Sequence, residues 1–220
     1  KALGREKAMR NKLEAKLIET QRKEQHNHAT RWMEWKTEVQ SWEELVAIAN
    51  GVLAGKTESY QACIEEMNPF EEIKSLGSGL SIKCDSPSEI TVNMAVHDDK
   101  VIPKKQKSLL ASGKLSIKEL PTGRRNEIYQ DYVCSAVLRV GRELFALLPI
   151  EQVIVNANSD LLNSATGRIE SQTILSVLLV RQTMAKINFD SIDPSDSMKN
   201  FKCSMNFKKG QGMYPVAPLN

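Results

Sequence analysis

Residues 124–148, RRNEIYQDYVCSAVLRVGRELFALL, place ionisable side chains at a spacing that could form a site. On a wheel of 100° per residue, Glu127, Asp131, Ser135, Arg139 and Glu143 make one i, i+4 ladder with Arg142 beside it. Tyr129, Val133, Ala136, Val137, Val140, Leu144 and Leu147 fill the opposite arc, so a helix here has one polar and one core face. Ile128, Leu138 and Phe145 fall inside or at the edge of the polar stripe, which predicts that the stripe is partly covered. A partly covered carboxylate needs a partner, and the guanidinium fork of an arginine suits it.

Two readings fit these residues. One is a ladder of helix-surface ion pairs that braces the helix, the simpler reading because i, i+4 charge pairs are common on helices. The other is the floor of a cleft completed by residues 158–170, a stretch rich in Asn, Ser, Asp and Gly that reads as a long loop. The candidate binding residues are then Glu127, Asp131, Ser135, Arg139, Arg142, Asn156 and Asn163.

Metal and cofactor chemistry finds little to work with. Asp190, Asp193 and Asp196 could suggest a hard-cation site, but Asp193 before Pro194 is explained by helix capping. His26 and His28 are two apart on a helix and face different ways, and His97 ends a strand, so no zinc is expected. No Walker A loop, dinucleotide-binding glycine pattern, nucleophile elbow or zincin motif occurs. The expectation is no metal and no cofactor.

The elements that would position these residues read as follows. Residues 1–40 contain no Pro and no Gly after Gly4, and form a helical arm or linker with a thin seam of Leu13, Leu17 and Ile18. Trp32, Trp35 and Val39 mark where the arm begins to dock; an arm that dimerises or grips nucleic acid is the alternative. Ser41-Trp42-Glu43-Glu44 matches a capping box and predicts a new helix. The segment 41–77 thus reads as three short helices, broken at Gly55 and at Asn68-Pro69.

From Gly77 the pattern alternates, predicting strands at 80–84 and 90–97 in a hairpin, a short helix at 104–111 and a strand at 115–120. After the central helix, the largely apolar runs 153–157 and 174–180, the latter interrupted by Ser176, predict strands covered on both faces, central in a sheet. A short helix near 183–187, another near 195–207 and a turn-rich tail complete the chain. The fold class is α+β: a mixed or antiparallel sheet of about five strands packed on a long central helix, within a domain spanning 41–220, its sheet and central helix in 78–220.

Composition sets the outer bounds. With 30 basic and 27 acidic side chains the net charge is +3, too near balance to name a partner, although ten basic against five acidic residues fall in the first 36. Four dispersed cysteines and the absence of a long apolar run point to a cytoplasmic protein without disulfides or a membrane partner. A chain beginning at Lys1 is expected to be part of a longer one.

The order helix, three strands, helix, strand is similar to the core of restriction-endonuclease-like folds, which carry an aspartate and then Glu-x-Lys for Mg²⁺-dependent phosphodiester cleavage. Here Glu89 only opens the second strand and the third offers Lys118-Glu119, so the resemblance implies a catalytically degenerate relative.

The run from Glu127 to Ser135, with Leu138-Arg139, residues 142–149, residues 192–197 and Asn200-Phe201, resembles the C-terminal region of bacterial proteins of unknown function. Those carry a short basic, glycine-rich N-terminal domain of unknown function. That resemblance implies a bacterial, multi-domain parent and transfers no mechanism. The expected function is a binding or assembly module, possible homo-oligomer through residues 1–40, presenting an upstream domain to a protein or nucleic-acid partner. The alternative is a nuclease-like, metal-dependent phosphodiesterase or its degenerate relative.

Overall fold

The computed structural model describes residues 2–71, 77–84, 86–163 and 165–219. It divides into two compact units, residues 1–50 and 51–220. The first is all helix: α1, Ala2–Leu53, has its last turn in the second unit. Ion pairs Arg10–Glu14 at 3.5 Å and Lys23–Glu19 at 2.6 Å, each i, i+4, run along its exposed surface. The capping box at Ser41 is not used. Helix-forming residues continue on both sides, so the N–H groups there are met by the preceding turn. The helix stops where Gly55 adopts φ 71°, a left-handed turn natural to glycine.

In the second unit, α2 (Thr57–Met67) ends at Asn68, itself left-handed at φ 40°. The third short helix expected near 69–76 meets a turn at 69–71 and otherwise lies outside the described residues. A six-stranded sheet follows in the order β1 (Gly77–Cys84), β2 (Glu89–Val96), β5 (Gln152–Asn163), β6 (Arg168–Val180), β7 (Lys202–Lys208) and β8 (Gly212–Tyr214). Only β2 and β5 run parallel. Between them the chain makes a separate two-stranded ribbon, β3 (Lys105–Leu109) with β4 (Leu115–Glu119), and the central helix α3 (Thr122–Leu147). Short helices α4 (Arg181–Met184) and α5 (Pro194–Ser197) link the later strands.

The fold is therefore α+β with a mixed sheet against a long helix, as expected, and the apolar runs at 153–157 and 174–180 are its central strands. Register explains the core. Val92, Val155 and Val177 align across β2, β5 and β6, as do Ile90, Val153 and Leu179, and all six are fully buried. This face meets α3, whose Gly141 packs so tightly on it that a Cβ there would overlap Leu179 Cδ1. Arg181 fastens the α3–β5 turn: its Nε donates to Ile150 O at 2.7 Å, its Nη2 donates to Leu148 O, and its guanidinium lies over Phe145.

Three expectations are corrected. Residues 104–111 are not a helix but the first ribbon strand and its turn, because Lys105, Lys107 and Leu109 alternate opposite Glu119, Ile117 and Leu115. Residues 158–170 are not a long loop. They continue β5 and β6 past a bulge at Ala157/Asn158 into a hairpin, and are polar because much of this extension is exposed. Residues 195–207 hold one helical turn, a 3₁₀ turn and then β7, whose Cys203, Met205 and Phe207 recur at the period of a strand.

Candidate functional site

The seven candidate residues fall in four places. Glu127, near the start of α3, receives Lys209 Nζ at 2.6 Å and Arg124 Nη1 at 3.4 Å. The Lys209 hydrogen bond, with help from Arg124, holds its carboxyl below the usual range. Next to it, Asn126 Nδ2 donates to Lys209 O at 2.8 Å. Glu127 thus ties the helix start to the turn between β7 and β8. Asp131 lies one turn on, half-buried.

Ser135, Arg139 and Arg142 do come together. With Leu138, Phe189 and Ile192 they line a pocket of about 280 Å³, and Arg142 Cζ sits 4.5 Å from the centre of the Phe189 ring. The segment that completes this pocket is the one before α5, not residues 158–170. Leu138 and Phe145 are buried, as their intrusion into the polar stripe predicts.

Asn156 is on the other face of the sheet. Its Nδ2 donates to Asn93 Oδ1 at 3.1 Å, and its Oδ1 accepts from Ser176 Oγ at 2.6 Å. Ser176 Oγ in turn accepts from the backbone N–H of Leu219 at 2.9 Å, while Val216 N donates to Thr173 O. This row holds the C-terminal tail on the sheet. Asn156→Ala removes the middle of a buried network and should cost about 1–3 kcal/mol, read from the urea midpoint. Asn163, at the far end of β5, donates to Glu170 Oε2 at 2.9 Å and accepts from Ala165 N, which shapes the turn.

Glu89, Glu119 and Glu127 stand on β2, β4 and α3. Among the described residues no three His, Cys, Asp or Glu side chains gather where they could hold a metal ion.

Buried polar chemistry appears instead at Tyr129. Its hydroxyl donates to His97 O at 2.9 Å and accepts from Ser159 Oγ at 3.3 Å, and burial pushes its pKa up to about 12. The folded state therefore holds this proton more firmly than an unfolded tyrosine with a pKa of about 10. Its contribution to stability is full below pH ~10 and is lost as pH rises towards ~12. Tyr129→Phe should flatten that alkaline loss, measured as stability against pH alongside tyrosinate absorbance.

The surface that sequence reasoning missed is the β3–β4 ribbon. Residues 104–119 hold five lysines, at 104, 105, 107, 114 and 118, against the single acidic residue Glu119. Nearly every ribbon side chain is exposed, Leu109 at 78% and Ile117 at 55%. The stem is anchored. Ile102 is buried, Leu120 N donates to Lys104 O at 2.8 Å, and Arg125 Nη2 reaches Asp99 at 3.1 Å. At the tip, Gly113 turns at φ 76° beside Leu110 and Lys114. The available signal was one-sided: residues 115–120 read as a strand after the Ser112-Gly113 turn, which calls for a partner strand before it.

Among the described residues no helix is long and apolar enough to cross a membrane. No known protein family, curated protein or solved structure matches this chain.

Proposed function

We propose that this chain is a binding module that grips a nucleic-acid backbone through the β3–β4 ribbon. The observation that carries this reading is an anchored two-stranded ribbon with exposed lysines on both faces and little core of its own. A hairpin of this size is marginal in isolation, so a partner that orders it is physically reasonable. A ribbon fits the major groove of duplex DNA, about 12 Å wide. Lys105 and Lys107 share one ribbon face, Lys118 is on the other and Lys114 is at the tip, so charge is offered to phosphates on both groove walls. Leu109, Leu110 and Leu115 near the tip supply apolar contact with base edges or a wedge between bases. On the resemblance to the bacterial proteins, the module would present an upstream domain to the bound nucleic acid.

The test is fluorescence anisotropy with labelled duplex DNA, single-stranded DNA and duplex RNA over a salt series. Four lysine–phosphate contacts predict a log–log salt slope of about −3.6 for duplex DNA. No binding to any of the three at low salt would sink the proposal.

A further inference from the structure

All three tryptophans of the chain lie on one stripe of α1, at a spacing that fits a second helix. Trp32, Trp35, Val39, Trp42, Val46 and Ala49 follow one another by 3, 4, 3, 4 and 3 residues, the a/d seam of a coiled coil. The seam is unpacked in the single chain: Trp32, Trp35 and Trp42 are 56%, 51% and 63% exposed. The rings of Trp32 and Trp35 rest only 4.9 Å apart, centre to centre. Three large exposed aromatics on one helix face call for an occupant.

We infer that the occupant is a second copy of this chain, packed antiparallel along residues 32–49 about a twofold axis between Val39 and Trp42. Volume argues for this register. In it Trp32 meets the partner's Ala49, Trp35 meets the partner's Val46, and Trp42 meets the partner's Val39. Every indole faces a small side chain, so each layer is one large residue against one small, repeated by the twofold. A parallel, in-register pair would instead stack each tryptophan on its own copy.

Charge argues the same way. In an antiparallel pair, the positions following the a/d residues Trp35 and Trp42, namely Lys36 and Glu43, flank the seam and face each other across the dimer. Lys36 of one copy therefore meets the partner's Glu43, twice by symmetry. A parallel pair would oppose Arg31 to the partner's Lys36 and Glu38 to the partner's Glu43, two repulsive contacts. Shifting the antiparallel register by one heptad places either Lys36 or Glu43 against itself. Within one chain Lys36 and Glu43 are seven residues apart and two turns of helix separate them. Their complementarity is therefore left for another chain.

The experiment is sedimentation equilibrium of the full chain as wild type, K36E, E43K and the double variant. Both side chains are exposed, so folding is not at risk, and far-UV circular dichroism checks the helix. The wild type is expected to dimerise. Each single change should weaken the dimer roughly tenfold, because the twofold doubles each like-charge contact. The double swap, which restores opposite charges, should return the affinity to near wild type. In a parallel dimer the single changes relieve repulsion and tighten association instead. A chain that stays monomeric at every concentration, or a K36E variant whose affinity is unchanged or raised, overturns the inference. Nucleic-acid binding plays no part in this readout, so it stands apart from the function of the ribbon.

Discussion

Replacing Lys105, Lys107 and Lys118 together with glutamate is expected to remove duplex binding at physiological salt while leaving the protein folded. The three side chains are exposed on the ribbon, and surface changes of this kind alter stability by no more than about 0.5 kcal/mol. Lys105 has an ion pair with Glu119 at 3.8 Å, but with both side chains largely exposed it contributes little. The loss in binding is much larger. Each lysine that leaves a phosphate lowers the magnitude of the salt slope by about 1, and each glutamate adds repulsion, so affinity should fall by roughly 10³ or more. Reversing Lys7, Lys12 and Lys16 on α1 changes the net charge equally and serves as the control. If that control costs as much as the ribbon variant, the grip lies on the helix and the role given to the ribbon is wrong. A ribbon variant that binds as well as the wild type would be equally decisive against it.

What the sequence made legible was whatever long, uniform patterns determine. The runs Val153 to Ala157 and Ile174 to Val180, apolar except at Asn156 and Ser176, identify central strands, because a strand covered on both faces needs little alternation. The two-faced wheel of residues 124–148 identifies α3 and its core side. Short segments failed where local signals competed. Lys104 to Ala111 are good helix formers by propensity, and only pairing with Leu115 to Glu119 makes them a strand. Ser41 to Glu44 form a sound capping box, but a helix already running has no free N–H groups for it to cap. The candidate site shows the same limit. A helical wheel can say that Ser135, Arg139 and Arg142 share a face, but not that Phe189 and Ile192, some fifty residues later, cover it. Nor could it separate Asn156, which the pleat turns towards Asn93 and Ser176 and away from the face that meets α3.

The two faces of α3 also predict a sharp contrast in stability. Leu144 is fully buried, and truncation to alanine removes its packing and leaves a cavity, a change that costs about 2.7–5 kcal/mol where surroundings relax little. Relaxation should be small here. Three residues earlier, Gly141 already lets the helix approach as near to Leu179 as its backbone allows, and the Arg181 guanidinium holds the carbonyls of Leu148 and Ile150 just beyond the helix end. The helix is fixed on both sides of the gap and cannot settle into it. We therefore expect Leu144→Ala to fall in the upper half of that range. For a unit of this size it should lower the melting temperature by about 8–20 °C, at roughly 2–4 °C per kcal/mol. Arg142→Ala, two residues away on the exposed face, gives up a contact with the Phe189 ring worth about 0.5–1 kcal/mol and should shift melting by only a few degrees. Urea and thermal unfolding of the two variants measure the difference directly. If Arg142→Ala proved as costly as Leu144→Ala, the pocket beside Phe189, and not the sheet-facing side, would be holding the helix in place.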